Sequence, residues 1–239
     1  MYPENLTNPY DGRQSQLGQH LTLNQYMART FLWMFAGLLI TFAVALVDCR
    51  TLFMVRLFLF DMRFLYVLVI AELAVVIVLS ARLEKLSPRW ATALFVLYAV
   101  LNGATFSVFF LVYEVESLIL IFLLTAAYYA VMAFFGWKTQ KDLSSWKIAL
   151  GIGLGVLALF WLVSLFINLS QFETIVCLAG TAVFLCVTAY DTQKIKARYY
   201  ATLQDGQMAE KACIFSALQL YLDFINLFLY LLRLLGKKR

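Results

Sequence analysis

Three carboxylates stand where hydrocarbon is expected. Glu72 lies in the middle of a hydrophobic run from Phe64 to Ala81, Asp191 closes another run directly after Tyr190, and Asp223 sits halfway along the last one. Polar groups inside such runs are expensive, so each asks for a reason. Two carboxylates brought close together in low dielectric do not both ionise cheaply, and such a pair tends to share a proton. It can instead hold a hard, oxygen-preferring cation such as calcium, with Asp191 and Asp223 as the metal ligands. A guanidinium can also neutralise it, and Arg82 and Arg233 are available. These states compete for the same charges, which makes a pH- and ion-sensitive gate physically natural. The plainer alternative is a buried polar network that only fixes helix packing. Glu72 taken alone is equally well a carboxyl held neutral.

The last run carries a further signal. Ser216, Gln219, Asp223, Asn226 and Tyr230 are spaced by three, four, three and four residues. At about 100° per residue they form one stripe roughly 80° wide, with Arg233 just beside it. The rest of that helix is Leu, Ile and Phe, so the stripe should turn into a bundle and line any pathway there. The sixth run has a shorter version, with Thr181, Thr188 and Asp191 on one side. If the two stripes face each other, Asp191 and Asp223 approach closely.

The elements that must position these groups follow from composition. Of 239 residues, 63% are hydrophobic and 14% charged, with a mean hydropathy of +0.82. A soluble domain has about 45–50% apolar and about 25% charged residues, so a single water-facing domain is excluded. Runs near span length fall at about 30–47, 64–81, 90–113, 118–136, 148–167, 174–190 and 212–235. The expected fold is therefore all-α: a polar N-terminal tail over 1–28, then a seven-helix membrane domain over 29–239. None of the three prolines interrupts a run, and Pro88 sits where one helix ends and the next begins. Gly151-Ile-Gly-Leu-Gly155 lacks the strand and the Lys-Ser/Thr of a nucleotide loop and reads as a close helix contact.

Charge orients the bundle. The segments 82–89, 138–147 and 191–211 carry Lys and Arg, whereas 114–117 and 168–173 carry none. Positive loops face the cytoplasm, which puts the N-terminus inside. Two facts resist: Arg50, Arg56 and Arg63 fall in the first outer connection, and a fully spanning last helix sends Lys237, Lys238 and Arg239 outside. A re-entrant last segment would relieve the second. The net charge of +5 follows from basic loops on a membrane lipid surface and calls for no nucleic acid. Cys49, Cys177, Cys186 and Cys213 form no CxxC pair and read as inert thiols with neither metal nor disulfide. His20 reads as solvated in the tail, and Asn5-Leu6-Thr7 as a chance sequon. Asp48, Asp61, Glu114, Glu116 and Glu173 read as solvated loop charge, and Trp90, Tyr113, Trp137 and Trp146 as interfacial anchors.

The stretch Ala189-Tyr190-Asp191-Thr-Gln-Lys-Ile-Lys196, followed by Leu220-Tyr221-Leu222-Asp223-Phe224-Ile225-Asn226-Leu227-Phe228, resembles the Bax inhibitor-1 family (transmembrane Bax inhibitor motif proteins) in a bacterial form. Lys141-Asp142-Leu143-Ser144 fits as well. The resemblance implies seven helices with the last one central, in a bacterial inner membrane. It also implies a calcium-permeable leak whose gate is a pH-sensitive aspartate pair, falling on Asp191 and Asp223, with a latching arginine near Arg82. Some bacterial relatives are linked to modulation of a membrane protease.

Three readings follow. The first is a non-enzymatic calcium leak, pH-sensitive, with no cofactor beyond calcium as permeant or bound ion. The second is a regulator that binds a membrane protease or another membrane partner. The third is an intramembrane aspartyl protease, since a shared-proton Asp pair suits peptide hydrolysis. Here, however, the second Asp follows Tyr221-Leu222 and not a Gly-x-Gly, and no Pro-Ala-Leu occurs downstream, which disfavours it.

Overall fold

The computed structural model describes residues 22–61, 63–164 and 166–239. His20, the sequon at Asn5 and most of the polar tail lie outside these. Helices α1 (Leu23–Thr51), α2 (Phe53–Phe60), α3 (Arg63–Ala81), α4 (Pro88–Phe106), α5 (Phe109–Val112), α6 (Val115–Lys138), α7 (Lys147–Ser164), α8 (Glu173–Ala201) and α9 (Gly206–Leu235) follow in order. Among the described residues, seven helical stretches are long and apolar enough to cross a membrane, α4 and α5 together making one of them. A helix satisfies its backbone within itself, which is what a lipid environment demands.

Local chemistry sets several boundaries. Thr22 caps α1 by accepting from the Gln25 amide while the Gln25 side chain accepts from Thr22, so the helix starts at Leu23, inside the stretch assigned to the tail. Tyr26 and Met27, in its first turn, are buried. Ser87 caps α4 with Pro88 in its first turn. Helix α2 stands where only a connection is expected. It begins after Leu52, in the left-handed region at φ 56°, and the Asp48 carboxylate accepts from the Met54 amide at 2.8 Å. Asp48 is therefore buried within α1 and not solvated loop charge.

Helix α9 is the core of the bundle. In its most apolar 18-residue window 72% of positions are buried, against at most 50% in any other span and 6% in those of α3 and α7. It packs on α8, α1, α6 and α4. It is continuous over 30 residues, about 45 Å at 1.5 Å per residue, so no re-entrant turn occurs. Its far end meets the α5–α6 connection: the Glu114 amide donates to the Lys237 carbonyl and the Arg239 amide to that of Val112, each at 3.0 Å. Lys237 also pairs with Glu114 at 3.0 Å. Tyr113 is thus buried against α9's end and is not an interfacial anchor. At the opposite end the basic connections gather. Lys211 donates to the Glu84 carbonyl at 3.0 Å, and Arg29 pairs with Glu210 at 2.9 Å.

The close helix approaches are not at 151–155. Gly151 and Gly155 face open space, and only Gly153 meets a neighbour, Val183. Lone spacing of small residues does not say which face a helix buries, and α7 turns most of its surface outward. Tight crossings lie instead at Gly103 of α4, against the Thr41 carbonyl of α1, and most closely at Gly136 of α6, where a methyl group would overlap the backbone of Ala189 on α8. Backbone cannot move aside as a flexible side chain can. Gly136→Ala is expected to lower the stability of the detergent-solubilised protein by about 1–3 kcal/mol. Gly155→Ala should leave it unchanged, and thermal unfolding monitored by circular dichroism compares the two.

Candidate functional site

Helices α8 and α9 are antiparallel, joined by a connection in which the Asp205 carboxylate caps α9 through the Met208 amide at 2.9 Å. Helix α8 runs eleven residues beyond Tyr190. Asp191, Lys194 and Arg198 therefore stand on one helical face, spaced by three and four residues. The facing stripe of α9 carries Ser216, Gln219 and Asp223. Asp191 and Asp223 are 8% and 5% exposed, while Ser216 and Thr188 are fully enclosed. Each aspartate lies within the other's electrostatic reach, and Lys194 acts on both. The two stripes do meet.

Counter-charge comes from α8 itself. Lys194 Nζ is 3.9 Å from Asp191 Oδ1. The Arg198 guanidinium, which also acts on Asp191, donates to Ser216 Oγ at 2.9 Å and lies 4.9 Å from the centroid of the Phe215 ring. Arg82 is exposed at the end of α3 with no ion pair among the described residues. Arg233 stacks on Trp161 with its guanidinium 3.7 Å from the ring centroid, ten residues and about 15 Å along α9 from Asp223. Neither arginine is brought to the pair. The sequence places Lys194 and Arg198 among loop charges because hydropathy ends the sixth run at residue 190. The signal that finds them is the three-and-four spacing that continues past Asp191.

The third wall is Tyr129 of α6. Its hydroxyl donates to the Leu220 carbonyl at 3.2 Å, and both aspartates act on it electrostatically. The Lys141–Ser144 segment is tied to α8 by Gln193, which accepts from the Leu143 amide at 2.9 Å and donates to the Lys141 carbonyl at 2.8 Å. Asp142 caps the turn at Leu143–Trp146 through the Ser144 amide at 2.9 Å. Hydrogen bonds from the Ser144 hydroxyl and from that amide hold its carboxyl below the usual carboxylate range.

Other stripe residues serve elsewhere. Tyr230 accepts from the Trp161 indole at 3.1 Å, with Gly180 tight against its ring. Asn226 donates to the Leu222 carbonyl one turn back at 2.8 Å. Glu72 is apart from the pair, in a second polar cluster. It accepts from Thr105 at 2.6 Å, with Asn102 beside it. Asn102 in turn accepts from the Tyr221 hydroxyl at 3.2 Å, and that hydroxyl shares a 2.6 Å hydrogen bond with Thr41. This cluster ties α1, α3, α4 and α9 together.

Asp223 Oδ2, Gln219 Oε1 and Thr192 Oγ1 are buried without a hydrogen-bond partner. Buried polar atoms are normally paired, and a carboxylate oxygen least tolerates being left alone. A proton, a cation or water would relieve it. Two carboxylates supply at most four oxygens where calcium takes about 6–8. No group of three or more His, Cys, Asp or Glu side chains able to hold a metal occurs among the described residues.

Because Asp191 depends on α8's own cations, removing one exposes it. Arg198→Gln is expected to destabilise the protein by about 1–3 kcal/mol. The same change should cost much less in an Asp191→Asn background, and a thermal double-mutant cycle reads the difference.

The chain matches the sequence model of the family described as inhibitor of apoptosis-promoting Bax1 over residues 23–239. It is 40% identical over 218 residues to inner membrane protein YbhL of Escherichia coli K12, covering 91% of this chain and 93% of that protein. It is 38% identical over 226 residues to an uncharacterised protein of Deinococcus radiodurans (93% of this chain, 96% of that one). A Borreliella burgdorferi protein, also uncharacterised, is 35% identical over 221 residues (92% and 94%). Seven membrane-length helices, a central last helix and a match over nearly the whole chain agree: this protein is a member of the Bax inhibitor-1 family.

Proposed function

We propose that the protein is a cation leak of the bacterial inner membrane, with calcium as its permeant ion, gated by Asp191 and Asp223. The observation that carries this reading is the buried, unpaired Oδ2 of Asp223 beside a second carboxylate on α8. Proton, cation and the Lys194–Arg198 side chains are alternative ways to neutralise the same oxygens. Occupancy of one excludes the others, so closing and opening become questions of charge. With the basic connections on the cytoplasmic side, Lys194 and Arg198 stand between the pair and the cytoplasm and act as its latch, the role that the family resemblance implies for Arg82. The protein works without covalent chemistry. Its spans α3 and α7, which turn most of their surface outward, leave room for a membrane partner such as a protease, the second reading.

The test is flux. Purified protein in liposomes loaded with a calcium-sensitive dye should pass calcium at a rate that varies with pH. Asp223→Asn and Asp191→Asn should remove that pH dependence, and Arg198→Gln should raise the resting rate. A wild-type rate equal to that of empty liposomes defeats the leak. Flux unaltered by both Asp→Asn changes defeats the gate.

A further inference from the structure

Helices α1 and α6 both pack on α9 yet leave a crevice of about 600 Å³ between them. One helical face of α1, including Met27, Phe31 and Met34, forms one wall. Small residues of α6, Ala126 and Ala130, hold the other wall back. Phe224 and Tyr129 form the floor. The crevice narrows beyond Leu38 and Phe122 into a further space of about 50 Å³. Its walls lie on membrane spans, and the surrounding medium is hydrocarbon.

An empty space of this size forfeits the dispersion contacts of every atom that lines it. Water is a poor filler, since a buried water needs two to four polar partners and apart from Asn24 and the Tyr129 and Trp137 rings the lining is Ala, Leu, Met and Phe. Of the α6 residues that line it, Ala126, Ala130 and Ala133 leave the middle of that wall unfilled between the aromatic rings. What remains is an acyl chain. One end of the crevice is chemically distinct. Trp137 lines it there, and Lys138 lies over the Phe134 and Trp137 rings at 6.0 and 5.4 Å from their centroids. Lys196 donates to the Trp137 carbonyl, drawing a second ammonium to this end. Lys141 follows. Arg29 is neutralised by Glu210, and Asp142 is the acidic group nearest in the chain. The balance is positive at the level where an aromatic–lysine belt meets headgroups.

We propose that this crevice is a binding site for one anionic phospholipid, its acyl chain over Phe224 and its phosphate at Lys138. Tyr129 is the partition between that chain and the aspartate pair, since its ring faces the crevice while both carboxylates act on it. The lipid therefore completes the dry wall of the site and keeps bulk water from Asp223 on the α6 side.

Native mass spectrometry of the detergent-purified full chain tests this, with added phosphatidylglycerol or phosphatidylcholine of matched chains. Wild type should retain phosphatidylglycerol in preference. Ala130→Trp, which fills the crevice from an exposed position, should abolish the adduct. Ala130→Leu provides a milder filling if the tryptophan does not fold. Lys138→Gln should keep acyl binding but lower the headgroup preference about fivefold, one lysine being worth about 1 kcal/mol. Equal retention of both lipids by wild type overturns the proposal. So does a folded Ala130 variant that keeps its adduct, or a lipid-free dimer lost in that variant, which would make the occupant a second copy. None of these readouts depends on calcium flux.

Discussion

A carboxylate surrounded by helices in hydrocarbon must find its neutralising partner inside the protein, because neither water nor the lipid tail offers one. Asp191 and Asp223 impose that demand at the α8–α9 contact, and much of the bundle answers it. Helix α8 extends past its apolar stretch to bring Lys194 and Arg198 onto the same face. Helix α9 is the most buried of the spans, and its polar stripe is covered where it passes the aspartates. Removing either the cations or the coverage leaves a bare charge in low dielectric, and breaking a buried pair in that way is far costlier than never having had it.

The central helix manages two polar systems on different faces. Toward α8 and α6 lie the aspartates, with oxygens left over. Toward α1 and α4 lies Tyr221, whose hydroxyl is satisfied by Thr41 and Asn102. A fully satisfied network rigidifies, whereas a partly satisfied one is poised to accept something. The Glu72 side thus reads as a clamp that holds α9 in register, and the aspartate side as the part that responds. Gly136 serves the same division by pressing α6 onto α8 at Ala189, two residues before Asp191.

Membrane lipid enters this picture as a structural component and not only as solvent. Helices α1 and α6 meet α9 without closing over it, so the floor residues Phe224 and Tyr129 separate an apolar crevice from the charged site. Occupancy of the crevice and the dielectric around Asp223 are coupled through those two rings. On the proposed reading, a site gated by charge is then sensitive to the membrane in which it sits.

Which residues are out of place can be read from the order of residue types along the chain. Desolvation cost depends on residue type and on apolar neighbours along the chain, so Asp191, Asp223 and the stripe through Ser216 and Gln219 were legible, as was the seven-span architecture. Motif resemblance added the family. Periodicity also says that one face of a helix differs from the other, but not which neighbour that face meets. Only the tertiary structure could decide that Lys194 and Arg198, and neither Arg82 nor Arg233, stand at the pair, that Glu72 belongs to a different cluster, and that Gly136 rather than Gly151 or Gly155 makes a close crossing. Those outcomes depend on the rotation and offset of whole helices, which are set by packing summed over many contacts and carry no local signature in the chain.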